Sequence, residues 1–295
     1  MFTGCGTALV TPFRRDLSLD ESALRRLVRR QVEEGINFLV PCGTTGESPT
    51  LSRPEHLRVV EITLEEAKGK VPVLAGAGGY NTAEVIELAR ELQHLGVDGI
   101  LSVTPYYNKP TQEGLYQHYK AIAAAVPLPI VVYSVQGRTG VNVEPATLKR
   151  LAAIDNIVAV KEASGNIGQM ARVVHEVPEK FIVLSGDDSI TIPLIALGGR
   201  GIVSVVSNEI PGEMTRLAQF AMAGDFKAAR ALQRQWLPLM EINFVESNPI
   251  PVKAAMAAMG LLEPVWRLPM TPPSPQNQAK IEAVLESCGL LAHAR

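Results

Sequence analysis

The sharpest chemical signal in the chain is Lys161, which closes the apolar run Ile157-Val158-Ala159-Val160. Alternate residues of a strand share a face, so Lys161 points with Ala159 and away from Val158 and Val160. The two valines suit an outer face packed by helices, which turns the lysine into the interior above a small residue. Burial disfavours the charged form of an amine, and a neutral amine condenses with a ketone to give a Schiff base. The alternative is a strand-end lysine whose head reaches water.

Other groups suited to chemistry stand at the ends of similar runs. Thr44 and Thr45 lie inside Gly43-Thr44-Thr45-Gly46-Glu47. Two adjacent hydroxyls with turn N–H groups can bind a carboxylate, or can simply satisfy their own backbone. Tyr133 ends an apolar run and could pass protons, or carry a hydrated hydroxyl above the core. Arg138, flanked by glycines at 137 and 140, has the fork that fits a carboxylate, or is a solvated loop residue. Tyr106 and Tyr107 follow Pro105 and read as a binding or subunit-contact pair.

The elements that must position these groups follow from the hydrophobic pattern. Short β-rich runs occur at 6–12, 37–43, 71–78, 99–105, 129–135, 157–163, 181–186 and 201–207. They are continuously apolar rather than alternating, as in parallel strands covered on both faces. Helical periods lie between them. Segment 82–95 has a stripe of Val85, Ile86, Ala89 and Leu92, with Asn81 and Glu84 spaced as a capping pair. Ser52 and Glu55 repeat that spacing. Gly35 and Gly96 fit helix ends, and Pro145 fits a first turn. The alternation predicts a (β/α)8 TIM barrel over 1–224, with a small helical appendage over 225–295 that contains helices near 225–243, 250–260 and 275–288. A doubly wound sheet is the competing architecture, but Gly4-Cys5-Gly6 sits in a strand and lacks the rest of a phosphate-binding turn. Active sites of such barrels lie at the C-terminal ends of the strands, where all the residues above fall.

Of the 295 residues, 46% are hydrophobic and 20% charged, and the formal net charge is −2. No positive field is present to hold nucleic acid, and no run of apolar residues is long enough to span a membrane. The N-terminus has no signal-peptide pattern. Cys5, Cys42 and Cys288 form no CxxC pair and suit a reducing cytoplasm, with Cys42 read as a buried, inert thiol. His56, His94, His118, His175 and His293 show no metal-ligand spacing, so neither a metal nor another cofactor is expected.

Taken together, GTALVTPF (6–13), GTTGES (43–48), AGAGGYNT (75–82), VTPYYNKP (103–110), GRTG (137–140), KEASGN (161–166) and SGDD (185–188) resemble the dihydrodipicolinate synthase family, within the pyruvate-dependent class I aldolases. The resemblance is collinear over essentially the whole chain. It implies a lyase that binds pyruvate as a Schiff base on Lys161 and joins it to L-aspartate-4-semialdehyde in lysine biosynthesis. It also implies a proton relay of Tyr133, Thr44 and a Tyr107 supplied by a neighbouring subunit. Thr45 and Val203 would position pyruvate, Gly186 would lie near the second substrate, and Arg138 would orient the semialdehyde carboxylate. A cytoplasmic homotetramer, built as a dimer of dimers, is implied as well. Ser48, His56, Glu84 and Tyr106 match the family's lysine-feedback site.

The chain departs from the family pattern in two places. Ser134-Val135-Gln136 stands where the family has Asn-Val-Pro, which removes a φ constraint from the loop that presents Arg138. Arg53, Pro49 and Tyr80 replace residues of the lysine site, and the added arginine charge predicts weak or absent feedback. Competing readings are a related aldolase using pyruvate with a sugar-derived or other aldehyde, and a non-catalytic barrel that senses a keto acid.

Overall fold

The computed structural model describes residues 1–291; His293 and the end of the 225–295 segment lie outside them. Eight parallel strands are formed: β1 (Gly4–Ala8), β2 (Phe38–Val40), β3 (Leu74–Gly76), β4 (Gly99–Val103), β5 (Ile130–Ser134), β6 (Ile157–Glu162), β7 (Ile182–Ser185) and β8 (Gly201–Ser204). Their order is β2-β1-β8-β7-β6-β5-β4-β3. The two ends meet through a parallel bridge between Leu39 and Val73, beside hydrogen bonds from Leu39 N to Pro72 O and from Gly76 N to Pro41 O, each 2.9 Å. The ring therefore closes into a TIM barrel, and the doubly wound sheet with its free edges is excluded.

The helices are α1 (Glu21–Glu33), α2 (Arg53–Ala67), α3 (Thr82–Leu95), α4 (Gln112–Ala125), α5 (Gln136–Thr139), α6 (Pro145–Leu151), α7 (Ile167–Glu176), α8 (Thr191–Ala196), α9 (Pro211–Met222), α10 (Phe226–Ile242), α11 (Ile250–Ala258) and α12 (Pro275–Ser287). Ser52 and Glu55 form a reciprocal capping box at α2. Asn81 caps α3 by accepting from Ala83 N, and its amide donates to Glu84 Oε1 at 2.9 Å in place of a reciprocal box. The single turn α5 was not legible in the sequence.

Two apolar layers lie on the two faces of the strands. Phe38, Val40, Leu101, Val131, Tyr133, Ala159, Leu184 and Val203 fill the barrel. Their neighbours Leu39, Ile100, Val132, Val160, Val183 and Ile202 pack outward against helix residues such as Leu24, Leu115 and Leu217. This is the period of two expected of strands. Val158 breaks it. Ile130 opposes Ile157 while Val131 opposes Ala159, so Val158 is the extra residue of a bulge, and it packs against the inner layer. Only Val160 takes the outer position expected of both valines; Ala159 and Val160 suffice to turn Lys161 inward.

After α9 the chain leaves the barrel pattern. Helix α10 packs on α9 and α8, and α12 on α10 and α11. The 243–249 link between α10 and α11 lies over the C-terminal mouth of the barrel, where Asn248 touches Thr45. Among the described residues no helix is long and apolar enough to cross a membrane. The three cysteines are free, and burial pushes the Cys42 thiol well above its usual range.

Candidate active site

A cavity of about 120 Å³ opens at the strand ends, and its lining includes Thr44, Thr45, Tyr133, Arg138, Lys161 and Gly186. Six residues singled out from sequence thus meet in one place. A neighbouring cavity of about 230 Å³ shares Thr44, Tyr133 and Arg138 and runs toward Tyr106.

Lys161 is 5% exposed. Its strand neighbours in register are Tyr133 on β5 and Leu184 on β7. The ammonium nitrogen Nζ lies 4.2 Å from the centre of the Tyr133 ring. Among the described residues no carboxylate is within ion-pair distance of it. Glu162, the next residue, points to the opposite face and is held by Gln169 Nε2 at 2.7 Å; burial keeps its carboxyl above the usual carboxylate range. Gly186 leaves room for the lysine: a Cβ there would stand 2.6 Å from Ala163 Cβ and 3.1 Å from Lys161 Cε.

The loop carrying Arg138 is more constrained than the missing proline suggests. Arg138 and Thr139 both donate backbone N–H groups to Val135 O, at 3.0 and 3.1 Å, and Gly140 N donates to Gln136 O at 2.8 Å. Those bonds make α5. The guanidinium also donates from Nη2 to Asn248 O at 3.1 Å. Helical hydrogen bonds and this tie restrain the loop in place of a fixed φ.

Three sets of contacts not legible in the sequence complete the mouth. Asn248 donates from Nδ2 to Thr45 Oγ1 at 2.9 Å. Lys253 on α11 and Glu47 of the GTTGE loop form a fully buried ion pair at 2.5 Å. Asp188 fixes the end of β8, accepting from Ser204 Oγ at 2.5 Å, Val205 N at 3.0 Å and Val206 N at 3.2 Å. Burial raises the Asp188 carboxyl to about 6, against those three hydrogen bonds. Each links segments distant in sequence, so no local pattern could have revealed it.

Two expected residues do not reach the cavity wall. Val203 is wholly buried in the inner layer, and Val205, two residues on, lines the wall. Tyr107 is 90% exposed, with φ at +66°, and lines neither of the two cavities. Of the feedback set, Ser48, His56 and Tyr106 line a separate cavity of about 190 Å³ together with Pro49 and Arg53, while Glu84 does not. His56 Nε2 bonds Gly76 O at 2.9 Å, and burial, with a smaller contribution from the Arg53 charge, lowers its pKa to about 4. Among the described residues no cluster of acidic, cysteine and histidine side chains could hold a metal ion.

A profile of the Dihydrodipicolinate synthetase family matches residues 1–288. The chain belongs to that family. A 4-hydroxy-tetrahydrodipicolinate synthase of Koribacter versatilis is 55% identical over 292 residues, 99% of this chain and 97% of that one. Among solved structures, a chloride-inhibited dihydrodipicolinate synthase of Acinetobacter baumannii in complex with pyruvate superposes with a TM-score of 0.97 at 43% identity, covering 99% of this chain and 100% of its own. A monomeric dihydrodipicolinate synthase variant superposes at 0.96 with 47% identity, covering 98% of each chain. The family's barrel is thus shared from end to end, and in this chain Lys161, Tyr133 and the GTTGE loop stand together at its mouth.

Proposed function

We propose that the chain is a class I aldolase-type lyase that condenses pyruvate with L-aspartate-4-semialdehyde to 4-hydroxy-tetrahydrodipicolinate, the first committed step of diaminopimelate and lysine biosynthesis. The observation that carries this reading is the buried, carboxylate-free amine of Lys161 on a cavity that also presents Arg138. The amine attacks the pyruvate ketone, and the adduct takes up a proton and loses water, leaving a protonated imine. That imine is an electron sink, so the methyl group loses a proton and becomes an enamine. The enamine carbon bonds to the semialdehyde carbonyl. The substrate amine then attacks the imine carbon and expels Lys161, which closes the ring.

Thr44 and Tyr133 are assigned to proton transfer, with Tyr107 of a neighbouring subunit; Thr45 to holding pyruvate, with Val205 on the wall in place of the buried Val203; Gly186 to the space near the second substrate; and Arg138 to the semialdehyde carboxylate. The exposure of Tyr107 supports its service to another copy, and a homotetramer is the corresponding assembly. Sedimentation at working concentration tests this: an active monomer would contradict it. The reaction requires no metal or organic cofactor, and we read the compartment as cytoplasmic, which fractionation checks. We also read residues 1–224 as the catalytic barrel and 225–295 as a helical appendage whose 243–249 link serves the mouth. Limited proteolysis between the two that leaves full activity would contradict that service.

Arg138 favours this reaction over that of an aldolase for uncharged aldehydes, because a second carboxylate clamp has no use there. Incubation with pyruvate and L-aspartate-4-semialdehyde, coupled to reduction of the product, tests the reading, and turnover of sugar-derived aldehydes alone would replace it. At the 190 Å³ cavity, the Arg53 charge supports weak or absent feedback. Inhibition by millimolar lysine is the contrary result.

A further inference from the structure

Asn248 is 4% exposed and forms part of the wall of the Lys161 cavity. Its Nδ2 is committed to Thr45 and its backbone carbonyl to Arg138. Its Oδ1 is buried and has no hydrogen-bond partner among the described residues. Buried polar atoms of native proteins are nearly always paired, and an amide oxygen accepts only. Asn248 lines the cavity, so the donor that this unpaired acceptor lacks can come with the ligand. The neighbouring wall groups Lys161 and Arg138 are themselves donors. The remaining carboxylate on the wall, Asp187, turns Oδ1 to Ser189 N and Oγ, at 2.9 and 2.8 Å.

We propose that Asn248 Oδ1 receives the ammonium group of the second substrate while Arg138 holds the carboxylate borne on the same carbon, so that the site selects an α-amino aldehyde acid over its deaminated analogue. The inference rests on the reaction proposed above and names the residue that recognises its amine. The hydrogen bond from Arg138 to the backbone carbonyl of Asn248 holds the two residues side by side, and the carboxylate and amine of an α-amino acid are likewise neighbours. A neutral acceptor also suits the chemistry. A carboxylate would hold the amine in its charged form, whereas a carboxamide orients it and still lets it lose a proton. The freed amine can then attack the imine carbon, forming the ring C–N bond as the bond to Lys161 Nζ breaks and Nζ takes up a proton.

The test compares L-aspartate-4-semialdehyde with 4-oxobutanoate, which keeps the aldehyde and carboxylate but lacks the amine. In Asn248→Leu, kcat/KM for the semialdehyde is expected to fall about 10- to 100-fold, the effect of losing a charged hydrogen bond. The inhibition constant of 4-oxobutanoate against it should change by less than about threefold. Asn248→Asp keeps an acceptor and should retain the preference, and Asn248→Ala carries the same comparison should the leucine variant fail to fold. Equal losses for both compounds would overturn the proposal, because Asn248 would then serve only to hold Thr45 and Arg138. Loss of preference in Asp187→Asn but not in Asn248→Leu would overturn it by moving the amine to Asp187. Borohydride trapping of pyruvate on the wild-type chain is run alongside. If no adduct forms, the underlying reaction has failed rather than the assignment of the amine alone.

Discussion

Two lysines are buried at the mouth of this barrel, and their surroundings differ in two respects. Lys253 is fully enclosed, its ammonium against Glu47 at 2.5 Å and 4.4 Å from the centre of the Phe13 ring. Lys161 is almost as buried and also faces a ring, that of Tyr133, but it looks onto a cavity and has no carboxylate partner among the described residues. Burial pushes the Lys253 amine down and Glu47 pulls it back up, so that nitrogen is spent on an ion pair. A buried pair contributes little net stability over apolar packing, but removing one partner strands the other charge. The amine of Lys161 has no such bond to break before it attacks a ketone. Depth of burial alone does not mark a reactive lysine; the absence of an anion beside an open cavity does.

That contrast predicts opposite phenotypes. Lys161→Met should lower kcat by about 10³-fold or more, since it removes the nucleophile. Its urea midpoint should be equal or higher, and a destabilised Lys161→Met would blur the distinction. Lys253→Met should lose about 3–5 kcal/mol of stability, leaving Glu47 buried and unpaired, while the protein that remains folded still forms the pyruvate adduct. Glu47→Gln added to Lys253→Met should recover part of that loss in urea unfolding. A smaller effect is expected at Arg138: Arg138→Ala should raise KM for the semialdehyde about 10- to 100-fold and leave pyruvate trapping unchanged, whereas an unchanged KM favours an aldolase for another aldehyde.

The last effect bears on stability alone and concerns His56, which is buried and neutral. Its pKa, about 4 in the fold against 6.5 when free, means that the unfolded chain binds the extra proton between those values. Stability from His56 is therefore present above 6.5 and is lost as pH falls toward 4. The stability difference between the wild type and His56→Gln should shrink by about 3 kcal/mol over that window. A constant difference would show that His56 does not titrate in this way.

Much of this is legible in the amino-acid sequence alone. Eight continuous apolar runs separated by helical periods specify a parallel barrel, because strands covered on both faces read that way. The turn of Lys161 into the barrel follows from Ala159 and Val160. The bulge at Val158 is not legible, since it depends on the pairing of β5 with β6 rather than on either strand alone. Nor is Asn248: it sits in a Ser-Asn-Pro stretch that reads as ordinary loop, and its value comes from contacts with Thr45 and Arg138, which lie 203 and 110 positions away. Glu47 and Lys253 escape for the same reason. Local patterns encode elements and faces, whereas the pairing of side chains across the mouth is decided by closure of the whole ring.

The most direct test is peptide mapping by mass spectrometry after borohydride reduction in the presence of pyruvate. A single reduced pyruvyl adduct on Lys161, with Lys253 unmodified, is the predicted result. An adduct on another lysine, or full turnover with Lys161 never modified, would contradict the account.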